Sequence, residues 1–186
     1  MAVNRYAALL RGINVGGRNP VPMVELREVF TTAGFTDVST YIQSGNVLFS
    51  AARPGAGLEG HIEEVLEQRF GVPIVVVVRS LRQLRSVVGS APPGFGERPE
   101  EYHSDAIFLK APLTPAKAMK VVRLRDEVDQ AWAGTGVLYF ARLSERRTQS
   151  KLSRIMGTPE YQLMTIRSWS TTTRLLALLD GGAPPG

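Results

Sequence analysis

The stretch Leu10-Arg11-Gly12-Ile13-Asn14-Val15-Gly16-Gly17-Arg18-Asn19 is the densest polar sequence in the chain. Gly12 and Gly17 are spaced like the glycines of a phosphate-cradling loop. Glycines there let backbone N–H groups approach an anion, and a following helix N-terminus adds partial positive charge. Where a nucleotide-hydrolysing loop needs Lys then Ser or Thr, this chain has Arg18 and Asn19, which argues against an NTPase. The alternative is an ordinary turn with glycines at positive φ. A second motif is Tyr41-Ile42-Gln43-Ser44-Gly45-Asn46-Val47-Leu48-Phe49. Its Ser-Gly-Asn corner has turn chemistry. If the third strand pairs antiparallel with the first, Asn46 falls beside the end of the first strand. Arg11, Asn14, Gln43, Ser44 and Asn46 then converge at one sheet end, suited to a phosphate or carboxylate. None of them is a general base, so the cluster points to binding. The expected ligand-binding set is Arg11, Gly12, Asn14, Gly16, Gly17, Gln43, Ser44 and Asn46, with Arg167 as an added cation.

Other candidates are weaker. Arg167 and Trp169 precede a final helix that Ser168, Ser170 or Thr171 can cap. Basic runs occur at Lys117, Lys120, Arg123 and Arg125, and at Arg142, Arg146, Arg147, Lys151 and Arg154. They flank the aromatic strand Leu138-Tyr139-Phe140, as in RNA-binding plaits. That strand lacks the basic-Gly start such domains use. His103-Ser104-Asp105 is contiguous, and catalytic triads assemble in space from separated residues. It reads as the start of a strand. His61 reads as surface. Glu63, Glu64 and Glu67 read as an acidic helix face, and Ser150-Lys151 is too common a dipeptide to mark a hydrolase.

The elements that must position these residues come twice. Val3–Leu10 is an apolar strand, Pro22 opens a helix ended by Gly34, and Val38–Ile42 and Asn46–Ser50 form a hairpin. Leu58–Phe70 is a helix, Val72–Val78 a strand and Leu81–Val88 a short helix. A breaker-rich segment, Gly89–Pro99, follows. Then come a strand (Ala106–Leu109), a helix (Pro115–Val122), a hairpin (Glu127–Trp132 with Val137–Arg142), a helix (Ser150–Met156), a strand (Leu163–Ile166) and a last helix (Ser170–Leu179). Each half therefore reads β-α-β-β-α-β, the split β-α-β order. The fold expected is α+β: two ferredoxin-like α/β-plait halves with antiparallel sheets, closely packed. The expected division is residues 1–90, a linker at 91–104, a second half at 105–180 and a frayed tail at 181–186.

Composition narrows the function. There is no cysteine and there are only two histidines, His61 and His103. Disulfides, thiolate metal sites and a cysteine nucleophile are excluded. Nothing signals a metal or a covalently held cofactor. The hydrophobic fraction is 44%, enough for a core. No run approaches the ~20 apolar residues of a membrane span, and a cytoplasmic protein is expected. Net charge is +5, which permits a nucleic-acid partner and equally suits plain solubility. An open sheet face permits a second copy of the chain.

Three segments carry a resemblance. They are Leu-Arg-Gly-Ile-Asn-Val-Gly-Gly at residues 10–17 followed by Pro22-Met23, Tyr-Ile-Gln-Ser-Gly-Asn-Val at residues 41–47, and Thr165-Ile166-Arg167-Ser168-Trp169-Ser170-Thr171. Together they resemble domain-of-unknown-function family 1697. In the third segment, Ser168 and Ser170 stand where similar proteins tend to have Asn. The resemblance implies a bacterial cytosolic protein with α/β-plait halves and supplies no activity. The function expected is binding of a small phosphate- or carboxylate-bearing molecule. The alternatives are a nucleic-acid-binding module, an enzyme using the same site with Asp105 or Glu25, and a structural or oligomerising domain.

Overall fold

A computed structural model describes residues 3–52 and 55–181; the expected tail lies outside them but for Gly181. Residues up to Leu84 and from Leu175 onward form one compact unit, and Arg85–Arg174 form a second. The first contains β1 (Asn4–Leu10), α1 (Met23–Thr32), β2 (Thr36–Tyr41), β3 (Asn46–Ala51), α2 (Leu58–Phe70) and β4 (Val76–Ser80). The chain crosses to the second unit within α3 (Leu81–Gly89). There it forms β5 (Tyr102–Leu109), α4 (Pro115–Val121), β6 (Asp129–Gly134), β7 (Val137–Leu143) and β8 (Met164–Ser168). It returns within α5 (Trp169–Leu179).

Each unit holds a four-stranded antiparallel sheet, in the orders β2-β3-β1-β4 and β6-β7-β5-β8. The first and third strands of each set are central, as the split β-α-β order requires. In β1 the two-residue period of a strand sends Tyr6, Ala8 and Leu10 to one face. They join Val47 and Phe49 of β3, Leu26 and Phe30 of α1, and Ile62 and Leu66 of α2 in one core. Phe49 is its centre, with ring centroids 4.8 Å from Phe35, 5.4 Å from Phe30 and 5.5 Å from Tyr6. In the second unit, Ile107, Leu138, Phe140 and Met164 pack with Ala118, Leu152 and Ile155 in the same way.

The glutamates of α2 have a structural task. The Val78 N–H donates to Glu59 Oε1 and the Val76 N–H to Glu63 Oε1, both at 2.8 Å. Four helix residues rise about 6.0 Å and two strand residues about 6.6 Å. Glutamates one turn apart therefore match alternate donors of edge strand β4. Its outward N–H groups are bonded within the chain instead of exposed to another strand.

Two expectations need correction. The span Ser150–Met156 is not an α-helix. Three 3₁₀ turns, Ser144–Gln149, Leu152–Gly157 and Pro159–Leu163, connect β7 to β8. Gly157 and Pro159 break the run into pieces that suit the tighter helix. Asp129 also takes the Lys151 N–H at 2.8 Å, alongside that of Arg125 at 2.9 Å. The last strand begins at Val76, not Val72, because Gly71 ends α2 at φ 72° and residues 72–75 carry the chain back to the sheet.

Replacing Phe49 by Ala removes the shared partner of three rings. It is expected to cost about 3–5 kcal/mol, measured as a lower urea midpoint at unchanged slope.

Candidate functional site

Leu9 pairs with Asn46 across β1 and β3. This register brings the glycine-rich loop after β1 and the β2–β3 corner to the same end of the first sheet, as the motifs imply. Backbone bonds lock the corner in place. The Leu10 N–H donates to the Gly45 carbonyl at 2.8 Å, and the Arg11 N–H to the Val75 carbonyl at 2.9 Å. Gly45 has φ 84°, and a Cβ there would lie 2.6 Å from Ile13 Cδ1. Both its conformation and its neighbour demand glycine.

The asparagines work inward. Asn14, at φ 54°, uses its whole carboxamide. Nδ2 donates to the carbonyls of Val21 and Gln43, each at 3.0 Å, and Oδ1 accepts the Val21 N–H at 2.8 Å. Asn46 is fully buried. Its Nδ2 donates to the Tyr41 carbonyl at 2.9 Å and to Ser44 Oγ at 3.0 Å. Gly16 (φ 56°) and Gly17 (φ 74°) form the tip of a two-residue turn closed by the Arg18 N–H donating to the Val15 carbonyl at 3.0 Å. Positive φ at both central residues is the signature of a type I′ turn.

A cavity of about 350 Å³ opens between these loops. Asn14, Gly17, Arg18, Pro22, Met23 and Gln43 are in its wall. Of the expected ligand set, Asn14, Gly17 and Gln43 line it, while Arg11, Gly12, Gly16, Ser44 and Asn46 do not. Arg18, read in the sequence only as a departure from the phosphate-loop pattern, is the cation in the wall. Its exposed guanidinium and the Gln43 side-chain amide make no hydrogen bond among the described residues. Pro22 is the N-cap of α1, and among the described residues no side chain caps the N-terminus of that helix. Three large exposed apolar side chains sit beside wall residues in the chain: Val15, Val24 and Ile42. Ile42 holds φ 50° with 47% of its surface exposed. A β-branched residue resists that conformation.

Arg167 lies in the second unit, on β8, nine-tenths buried. Burial pushes its guanidinium down to about 10. Tyr139 and Phe140, flanked in sequence by the basic runs, are buried, so they offer no stacking platform to a nucleic acid. Tyr139 donates its hydroxyl to the Val87 carbonyl at 2.6 Å. His103 and Asp105, two residues apart on β5, do meet: Nε2 lies 3.4 Å from Oδ1. Arg142 NH2 is 3.3 Å from the other carboxylate oxygen. Burial pushes the Asp105 carboxyl up, while His103 and Arg142 oppose the shift.

The protein is thus of the mixed α/β class, with two four-stranded antiparallel sheets and an asparagine-braced loop pair over a small cavity at one end of the first. The chain belongs to the family described as protein of unknown function, DUF1697, whose model matches residues 3–139. Among solved structures, a conserved bacterial protein from Streptococcus pneumoniae is similar. It aligns with a TM-score of 0.80 and 25% identity over 96% of this chain and 99% of its own. Comparison with curated proteins gives no match.

Gly45→Ala is expected to destabilise by about 2–4 kcal/mol, from left-handed strain plus overpacking against Ile13. Ile42→Asn is expected to stabilise by about 1 kcal/mol, because Asn tolerates that backbone. Thermal unfolding of the two variants checks both signs.

Proposed function

We propose that this protein binds a small phosphate- or carboxylate-bearing molecule in the cavity between the 12–23 loop and Gln43. The observation that carries the reading is the pair of uncommitted side chains, Arg18 and Gln43, in one wall beside the uncapped start of α1. Arg18 supplies the charge and Gln43 an orienting amide. The first-turn N–H groups of α1 add donors and the positive end of the helix dipole. Asn14 and Asn46 hold the loops, since their amides bond to backbone and to Ser44. Pro22 and Met23 give apolar wall for the body of the ligand. Arg11 neighbours the site by sequence and adds to its positive potential. Among the described residues no helix is long and apolar enough to cross a membrane, and we place this binding protein in the cytoplasm.

The test is a thermal-shift screen against nucleotides, sugar phosphates and carboxylates at low and physiological salt. A ligand at 100 times its dissociation constant is expected to stabilise by about 2.7 kcal/mol. Arg18→Ala is expected to weaken that ligand about ten- to hundredfold, the value of a hydrogen bond to a charged group. A shift that survives both Arg18→Ala and Gln43→Ala overturns the site. No shift from any compound overturns the reading and leaves the motifs as loop braces.

A further inference from the structure

An open sheet has two edges, and each edge strand presents a row of backbone N–H and C=O groups that another strand can take. Three of the edges in this protein are blunted. At β4 the outward N–H groups of Val76 and Val78 are held by Glu63 and Glu59. β2 carries a register shift between Thr36 and Ser39, with Asp37 at φ 51°, and such a bulge bends an edge away from a partner. At β8 the Met164 N–H goes to the Tyr161 carbonyl. The Ile166 carbonyl accepts from the Arg167 guanidinium at 2.9 Å, and the Ser168 carbonyl from the Thr172 hydroxyl at 3.0 Å.

The edge strand β6 has no such cover. The Leu143 N–H donates to the Val128 carbonyl at 2.9 Å, and bonded pairs alternate from there along an antiparallel ladder. Gln130, Trp132 and Gly134 therefore bond to β7, while Asp129, Ala131 and Ala133 turn their backbone groups outward. The Asp129 N–H goes to the Arg125 carbonyl at 2.9 Å. The N–H groups of Ala131 and Ala133, and the carbonyls of all three residues, make no hydrogen bond among the described residues. Ala133 is exposed and Ala131 half-buried. The strand keeps one unbroken register over its six residues and contains no Pro, Lys or Arg, the devices that natural edges use against pairing.

We infer that β6 pairs with β6 of a second copy of this chain, antiparallel about a two-fold axis at the middle of the strand. With the axis at Ala131, the two Ala131 residues exchange N–H···O bonds and each Ala133 N–H reaches the Asp129 carbonyl of the other copy. With the axis at Trp132, Ala131 and Ala133 exchange both bonds. Either way every outward N–H finds a carbonyl. An edge that satisfies its own donors is self-complementary, as a two-fold interface requires.

Charge agrees with this partner. Asp129 is the one charged residue of the strand, and its buried carboxylate already accepts the Arg125 and Lys151 N–H groups. Across the axis it stands opposite Ala133 or Thr135, so no like charges are opposed. The charged run Arg125-Asp126-Glu127 is directed toward the turn Gly134-Thr135-Gly136 of the other copy, which carries no charge. The surface belongs to the second unit and the anion cavity to the first, and neither reading depends on the other.

Sedimentation velocity on the full chain from about 5 to 500 μM is the test, because an interface smaller than the ~1,200 Å² of standard complexes assembles weakly. A monomer is expected at the low end and a dimer at the high end. Hydrogen exchange of the unaltered protein is read over the same range. The Ala131 and Ala133 amides are expected to slow as the dimer forms. Ala131→Pro removes an outward N–H that β7 does not use, a placement an edge strand tolerates. It is expected to weaken the dimer at least about tenfold, and Arg18→Ala is expected not to weaken it. A chain that stays monomeric throughout overturns the inference and leaves the edge to a strand of another protein. A dimer in which the Ala131 and Ala133 amides exchange as fast as in the monomer overturns it as well, whatever the Ala131→Pro variant does.

Discussion

The pairing of Leu9 with Asn46 is the constraint on which the first unit turns. Side chains alternate along a strand, so a slip of one residue would send Tyr6, Ala8 and Leu10 away from the helices. The same slip would move the glycine-rich loop off the β2–β3 corner. The burial of Phe49 among three rings fixes the register, and the register fixes the site. Packing and the placement of the two loops are therefore set by one alignment of two central strands.

The edges of that sheet show how local chemistry protects the arrangement. Helix α2 spends two carboxylates on the N–H groups of β4. From sequence Glu63, with Glu64 and Glu67, reads as an acidic helix face. Helical spacing alone places Glu59 and Glu63 on one side, but only the packed sheet shows what that side meets. The same holds for Asn14. Its type and position invite a ligand, yet a short carboxamide in a left-handed turn is well placed to bond nearby backbone. Three internal hydrogen bonds occupy it.

Much of the architecture was legible because the patterns were strong. The apolar run of β1, the tight turn at Gln43-Ser44-Gly45 before β3, and the glycines closing α1 and α2 mark those elements without help from tertiary contacts. The convergence of the two polar motifs was also legible, since it follows from topology. The member carrying free charge was not. Arg18 and Arg11 look equivalent in a string of letters, and only the turn at Gly16 and Gly17 turns Arg18 toward the cavity wall. The meeting of Asp105 with Arg142 was out of reach for another reason. The two lie 37 residues apart in the numbering, and the strand order that joins them had to be seen. The 3₁₀ run was missed because its apolar spacing mimics a helix while its Gly and Pro residues limit each turn.

The path of the chain has one more consequence. Arg5 donates a hydrogen bond at 3.3 Å to the carbonyl of Leu178, 173 residues further along the chain, and both belong to the first unit. The second unit is thus an insertion inside the first. During vectorial synthesis, every residue of the inserted unit is made before the outer unit has its closing segment. Contacts of such high sequence separation form late and close large loops. All four strands of the first sheet are therefore made before the end of α5, the segment that closes the first unit. Their edge strand meanwhile has its own intrachain cover, the two glutamates of α2, made from residues already at hand.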